Sequence, residues 1–338
     1  MKNTMKASFL LKQGELTVRE IEVPTLDSDE VLVKVAAVGV CGSDVHYFQH
    51  GKIGPYVVEK PLILGHELSG VITAVGADVD SSRIGQRVAV EPQRPCDVCD
   101  QCLAGRYNLC PKMEFYATPP IDGGFAEYVK IQSRFAFEIP DNISFEAAAL
   151  IEPLSVCVWA AQKAQITSGS RVLIAGAGPI GVIMAQVASA FGASEVIITD
   201  IAEDRRNFAL GFGATRAIDP RVESVEGLGV NAFVDASGVA QAVYSGIKAV
   251  GPAGRVLLVG LGTEDMNLPV SHIQNNEIWV TGVFRYANTW PTGIELLASG
   301  KVNLDVLVTH TFGLDEVEAA LNAGKLPGSM KAVVQPGR

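Results

Sequence analysis

Four of the chain's six cysteines fall within fifteen residues, CDVCDQCLAGRYNLC (96–110). Such a cluster admits disulfides, a redox pair, a catalytic metal or a structural metal. The N-terminal stretch MKNTMKASFLLKQGEL offers only Phe9, Leu10 and Leu11 as an apolar cluster, too short for the core of a secretion signal. The expected compartment is therefore the reducing cytoplasm, where structural disulfides are rare. A redox pair needs one CxxC, not CxxCxxCx7C. Four thiolates match a closed tetrahedral zinc site, which leaves no position for a substrate. Cys96, Cys99, Cys102 and Cys110 are thus expected to hold a structural zinc that pins a loop. A nucleic-acid zinc module would need basic side chains, but the loop sets Asp97 and Asp100 against Arg94, Arg106 and Lys112. Cys157 lies among apolar neighbours and reads as packing.

A second pattern is GAGPIG (176–181), which follows an apolar run and opens a helical one. It fits G-x-G-x-x-G with Gly176, Gly178 and Gly181. The first glycine permits a tight turn, the second lets a pyrophosphate approach the backbone, and the third lets helix pack close to strand. The helix N-terminus then faces the phosphate charge. Asp200 ends the next strand, where an acid binds both ribose hydroxyls and repels a 2′-phosphate, so NAD is expected over NADP. Arg205 and Arg206 lie close by and argue the other way.

A nicotinamide cofactor implies hydride transfer and a means of polarising an alcohol or carbonyl. VCGSDVHYFQHG (40–51) and LGHELSG (64–70) offer Cys41, His66 and Glu67 as ligands of a catalytic zinc, which uses three protein ligands and keeps a position open. Zinc can bring the pKa of a bound water to about 7 and would acidify an alcohol in the same way. On residue type alone the plainer readings stand ahead: a buried thiol, a turn histidine and a solvated carboxylate.

The elements that must position these groups divide in two. Up to about residue 150, runs such as EVLVKVAAV (30–38), LSGVITAVG (68–76), RVAVE (87–91) and FAEYVKI (125–131) read as short strands of a barrel-like antiparallel domain. After Ile166, six nearly continuous apolar runs alternate with helical stretches, as in a doubly wound parallel sheet: RVLIAG, EVIITD, RAID, AFVDAS, RVLLVG and IWVTGVF. The tail mixes helix with a closing strand, KAVVQ, expected to return to the first domain.

At 338 residues the chain has room for two domains, and 48% hydrophobic with 19% charged residues is an ordinary globular composition. The net charge of −10 argues against a nucleic-acid partner, and no apolar run is long enough for a membrane span.

Together, VGVCGSDVHYF, LGHELSG, CxxCxxCx7C, LIEPLSV, GAGPIG and VFRYANTWP run in order over essentially the whole chain. The set resembles the zinc-dependent medium-chain dehydrogenases, and the last motifs resemble their polyol branch, the sorbitol and xylitol dehydrogenases. The resemblance implies an α/β protein: a GroES-like β-rich catalytic domain (1–154 and 286–338) around a Rossmann NAD-binding domain (155–285), with the active site between them. It makes Cys41, His66 and Glu67 ligands of a catalytic zinc. It places Glu152 beside that zinc, as ligand or as holder of its water. Ser43 and His46 resemble an alcohol-dehydrogenase proton relay, while in polyol enzymes the relay can run through water and glutamate. His50 has no family role and reads as a surface histidine. Tyr47, Phe115, Thr118, Glu152, Arg285 and Tyr286 match positions lining a polyol pocket. Residues 259–261 and 283–285, among them Val259, Leu261, Val283 and Arg285, are expected at the nicotinamide half of NAD, with Ile180 packing near it and Arg205 also at the cofactor site. Some polyol dehydrogenases, including vertebrate sorbitol dehydrogenases, resemble this chain without the four-cysteine lobe; keeping all four predicts two zincs per chain. The family resemblance also implies a homotetramer, with no nucleic-acid or membrane partner.

The implied reaction is reversible NAD-dependent oxidation of a polyol's secondary alcohol to a ketose. The nearest alternative is the same chemistry on threonine or a small diol. A zinc-free quinone or enone reductase would have no need of Cys41, His66, Glu67 and Glu152, and a non-enzymatic NAD-binding protein would have no need of the intact set.

Overall fold

The run EVLVKVAAVG, rich in β-branched residues, forms the strand on which the first unit is built. The computed structural model describes residues 3–338, which divide into two units: residues 3–152 with 304–338, and residues 153–303. The first unit opens with an antiparallel hairpin of β1 (Thr4–Lys12) and β2 (Glu15–Glu22). Next come β3 (Glu30–Gly39), helix α1 (Gly42–His50), β4 (Glu67–Val75) and β5 (Arg87–Val90). A two-stranded ribbon, β6 (Gln93–Arg94) with β7 (Glu114–Phe115), frames the cysteine loop. β8 (Tyr128–Gln132), β9 (Ala136–Glu138) and α2 (Phe145–Ala149) follow, and the unit boundary falls within α3 (Ile151–Lys163). FAEYVKI begins as a strand only at Tyr128. Phe125 ahead of it is fully buried, its amide bonded to Leu64 O at 2.9 Å.

The second unit contains β10 (Arg171–Ala175), α4 (Pro179–Ala190), β11 (Glu195–Thr199), α5 (Glu203–Leu210), β12 (Arg216–Ile218), β13 (Val230–Asp235), α6 (Ala240–Ala249), β14 (Val250–Leu258), β15 (Trp279–Gly282) and α7 (Trp290–Ala298). Its six strands are parallel, in the order β12-β11-β10-β13-β14-β15. Counted from β10 this is the doubly wound order, with helices crossing between strands. Leu173, Ile197, Phe233 and Val256 form part of its core.

The chain then adds β16 (Val308–Gly313) and β17 (Lys331–Gln335) to the first unit's sheet, whose order is β9-β5-β4-β3-β17-β16 with β8 also paired to β3. Val33, Val35 and Val38 of β3 pack with Leu68 and Ile72 of β4 and Val88 and Val90 of β5. The return comes later than the expected boundary at 285/286: it lies at 303/304. Trp290, Leu296 and Leu297 of α7 are buried, and the side-chain amide of Gln186 in α4 both donates to Asn303 O (3.2 Å) and accepts from Asn303 N (2.8 Å). These contacts hold residues 286–303 to the second unit.

Candidate active site

Cys41 caps α1. Its amide donates to Asp44 Oδ2 at 2.9 Å, and the Gly65 amide donates to Asp44 Oδ1 at 2.9 Å. One wholly buried carboxylate therefore ties the Cys41 turn to the Gly65–Glu67 segment. Asp44 Oδ1 also lies 3.6 Å from His66 Nδ1, which leaves Nε2 as the ring nitrogen available to a metal. Glu67 opens β4 opposite Gly39 of β3. A Cβ at position 39 would come within 2.1 Å of Glu67 Oε2, so the missing side chain there is what admits the carboxylate.

Cys41, His66 and Glu67 bring one donor atom each to within 4.8 Å of one another. Thiolate, imidazole and carboxylate are donors that zinc takes. Glu67 Oε2 is buried with no hydrogen-bond partner. A buried carboxylate oxygen left bare is costly unless a cation meets it, so the donor set fits a zinc ion. The local field agrees. Burial alone would lower the pKa of His66, but Asp44 and then Cys41 outweigh it and hold the value well above the usual one for imidazole. For Asp44, burial pushes upward and His66 prevails, leaving the carboxyl below the usual range. A field that draws a proton to this spot also draws a divalent cation.

Two residues here escaped the sequence reading. Lys331 heads β17, buried, and its Nζ donates to Glu67 Oε1 at 2.6 Å and to Val40 O at 2.8 Å. Burial pulls its pKa down, but the charges of Glu67, Cys41 and Glu152 more than offset this and keep the ammonium ionised. Its only signal is a lone cation at the head of the apolar strand KAVVQ. Asp44 is the other, and its signal was the capping-box spacing, three residues after Cys41.

Around this cluster, Phe115 of β7 places its ring centroid 5.4 Å from that of His66. Tyr47 is buried on α1, Ser43 is half-buried and His46 is exposed on the same helix. Thr118 is half-buried in a turn, its carbonyl accepting from the Ile121 amide at 2.8 Å. Glu152 is buried in the first turn of α3, outside the three-donor cluster, and its charge acts on Lys331 and on Glu91. Glu91, fully buried beyond β5, is pushed up to about 8 by burial; bonds from Tyr107 Oη (2.8 Å) and Gln93 Nε2 (3.0 Å) oppose the rise and Glu152 adds to it. Arg285 and Tyr286 belong to the second unit. Arg285, at φ +52°, sets its guanidinium 4.8 Å from the Phe284 ring centroid, and Tyr286 is wholly buried, edge-on to Trp290.

The four cysteines between β6 and β7 converge as a second cluster, each sulfur within 4.8 Å of the others. None is in a disulfide. The Val98 amide is the main cause that brings the Cys96 thiol down to about 6, whereas burial, with Cys99 and Cys110 next to it, pushes Cys102 up to about 12. Neighbouring thiols resist ionising together. A divalent cation removes that resistance by favouring every thiolate at once, and four thiolates in this arrangement fit zinc.

In the second unit GAGPIG forms the turn from β10 into α4. Gly176 has φ +94°, and a Cβ on Gly181 would lie 1.8 Å from Gly176 O, so neither accepts a side chain. Gly178 caps α4, and the only group within 4 Å of its missing Cβ is Arg205 Nη1, at 3.7 Å. That is room for a phosphate beside a cation at a helix N-terminus. Asp200 accepts from Ala177 N (2.8 Å) and Ala202 N (2.9 Å). Arg206 is engaged elsewhere, with Asp200 O at 2.8 Å and Asp219 at 3.3 Å. A cavity of about 420 Å³ is lined by Gly176, Asp200, Ile201, Arg221, Ser237 and Val239. Val259 N donates to Asp235 O at 3.0 Å and Val283 N to Leu258 O at 2.9 Å. Leu261 is exposed and Ile180 is half-buried.

Residues 27–141 match the alcohol dehydrogenase GroES-like domain, and residues 179–299 match the zinc-binding dehydrogenase domain. The sorbitol dehydrogenase of Bacillus subtilis is 45% identical over 326 residues, 94% of this chain and 92% of that protein. An Escherichia coli oxidoreductase/dehydrogenase of unknown specificity superposes with a TM-score of 0.94 at 32% identity, over 98% of this chain and 99% of that one. Two further solved structures, each at a TM-score of 0.91 and covering 99% of this chain and 100% of their own, hold nicotinamide cofactors. One is a zinc-binding dehydrogenase of Sinorhizobium meliloti 1021 with NADP, at 31% identity, and the other, described as a short chain alcohol dehydrogenase, is from Escherichia coli CFT073 with NADH, at 30%. With both domain matches and these relatives, the chain is an oxidoreductase and belongs to the zinc-dependent medium-chain dehydrogenases, in their polyol dehydrogenase branch.

Proposed function

We propose that the chain oxidises a secondary alcohol of a sugar alcohol of the sorbitol or xylitol type to the ketose, reversibly, with NAD as hydride acceptor. The observation that carries the reading is the Cys41–His66–Glu67 cluster with its bare Glu67 oxygen. The sorbitol dehydrogenase relative supports the substrate class.

Cys41, His66 and Glu67 would hold a zinc ion, which when bound would make the substrate hydroxyl a stronger acid, and the GAGPIG turn would hold NAD as the hydride acceptor. Ser43 and His46 offer the hydroxyl proton a path from a half-buried hydroxyl to an exposed imidazole and then to water. Glu152 is the second carboxylate of the site, assigned beside the zinc as a ligand or as the holder of its water, and to the substrate pocket. Phe115, against His66, keeps that side dry. Tyr47, Thr118, Arg285 and Tyr286, with Phe115 and Glu152, are assigned to the polyol pocket, where paired hydroxyls select against simple alcohols. Asp200 favours NAD, and the engagement of Arg206 with Asp219 supports this by drawing a cation away from a 2′-phosphate. Arg205 is assigned to the pyrophosphate, and Ile180, Val259, Leu261, Val283 and Arg285 to the nicotinamide half.

The count of two zincs, one at each cluster, belongs to the same proposal, as do a cytoplasmic location and a homotetramer. No helix among the described residues is long and apolar enough to cross a membrane.

Initial rates of NADH formation over sorbitol, xylitol, ribitol, galactitol, arabinitol, threonine and ethanol test the reading, with NADP run in parallel. Polyol oxidation that falls on chelation and in Glu152→Ala supports it. Activity confined to threonine or a diol moves the substrate class, and activity that survives zinc loss removes the site assignment.

A further inference from the structure

His46 and His50 stand four residues apart on α1, and both are exposed. Their ring centroids are 4.5 Å apart with the planes inclined at 56°. Imidazoles at i and i+4 on one helix face meet a single cation, the spacing that a helical H-E-x-x-H motif uses for zinc. With Zn–N bonds of about 2.0–2.1 Å, tetrahedral geometry sets two ligating rings about 5 Å apart, so a small side-chain rotation completes the fit. No hydrogen bond or ion pair of either imidazole is found among the described residues, so the ring nitrogens are open to a ligand. Among the described residues no third cysteine, histidine or carboxylate joins them, since the three- and four-donor clusters lie elsewhere. Water would complete the coordination.

We propose that His46 and His50 form a further metal site for a borderline transition cation such as Zn(II), Ni(II) or Cu(II), whose occupancy silences His46. Imidazole is the donor these ions share. A ring nitrogen bound to a metal has no lone pair left for a proton, so the bound ion inhibits by removing the last carrier of the relay. This inhibitory half rests on the relay proposed above; the metal site itself does not. Two exposed donors hold an ion more weakly than three or four, so the site fills only after the catalytic and cysteine clusters are loaded.

The holoenzyme and its His50→Gln variant are dialysed against graded Zn(II), bound zinc per chain is counted, and NADH formation is measured in the same samples. His50 takes no part in the proposed chemistry, so the variant keeps the basal rate. The wild type is expected to bind one more zinc than the variant and to lose activity as that zinc binds. Half-inhibition of the variant should need about tenfold or more zinc. Equal zinc counts in the two proteins overturn the metal site, and half-inhibition of both at the same zinc concentration overturns its inhibitory role. An extra zinc lost with His50 but without effect on the wild-type rate supports the site and overturns the relay through His46.

Discussion

Lys331 and Glu67 form a buried ion pair, Nζ to Oε1 at 2.6 Å, and the same ammonium donates to Val40 O at 2.8 Å, one residue before Cys41. A cation from the last strand thus fixes both segments that carry the Cys41–His66–Glu67 cluster. It occupies one oxygen of Glu67 and leaves the other bare.

Removing one partner of such a pair costs about 3–5 kcal/mol, because the remaining charge stays buried and unpaired. Lys331→Met should lose stability on that order in denaturant unfolding. Its zinc affinity at the catalytic cluster, read by chelator competition, should fall by about 10–100-fold. Lys331→Arg keeps the charge and should recover part of both. Unaltered zinc affinity in Lys331→Met would show that Glu67 is positioned without it.

Glu91 should leave a mark on the pH dependence of stability. Its carboxyl rises from the usual 4.5 to about 8 in the folded chain, mainly through burial. Across that window the folded chain keeps a proton that the unfolded chain has released. Stability is therefore fully present below the lower value and falls as pH rises toward the upper one. Glu91→Gln has nothing to titrate, and its amide oxygen can still accept from Tyr107. The variant should gain on the wild type by a few kcal/mol as pH climbs from about 5 to about 8. A constant difference between the two unfolding curves would contradict a protonated Glu91.

Asp200 should decide the cofactor. Asp200→Ala removes the acceptor for the ribose hydroxyls and the repulsion of a 2′-phosphate, and it leaves Arg205 close by. Its KM for NAD should rise about tenfold or more, and turnover with NADP should become measurable. An unchanged NAD-to-NADP ratio of kcat/KM would place the discrimination elsewhere.

Features whose parts are close in sequence were legible without the fold. The four cysteines span one loop, and GAGPIG with Asp200 spans one strand–helix–strand unit, so spacing alone implied a metal cluster and a dinucleotide turn. Cys41, His66 and Glu67 were different. They meet because β3 pairs with β4, setting Gly39 opposite Glu67, and because Asp44 binds the amides of both Cys41 and Gly65. No local period carries that register: residue type offered the three only beside plainer readings, and the resemblance to a family favoured them. Lys331 lies 264 residues from its partner, in a strand whose apolar pattern announces burial but not a buried charge. The late return of the chain was missed for a related reason: the α7 pattern shows that one face is buried, not which unit buries it.

The central claim is that zinc at Cys41, His66 and Glu67 is what polyol oxidation depends on, and that the zinc of the cysteine loop is not. Zinc per chain and NADH formation from sorbitol should be measured together in the wild type, in Cys41→Ala and in Cys99→Ser. The account predicts two zincs and activity in the wild type, one zinc and no activity in Cys41→Ala, and one zinc with activity in whatever fraction of Cys99→Ser stays folded. A Cys41→Ala protein that oxidises sorbitol, or that keeps both zincs, would contradict it.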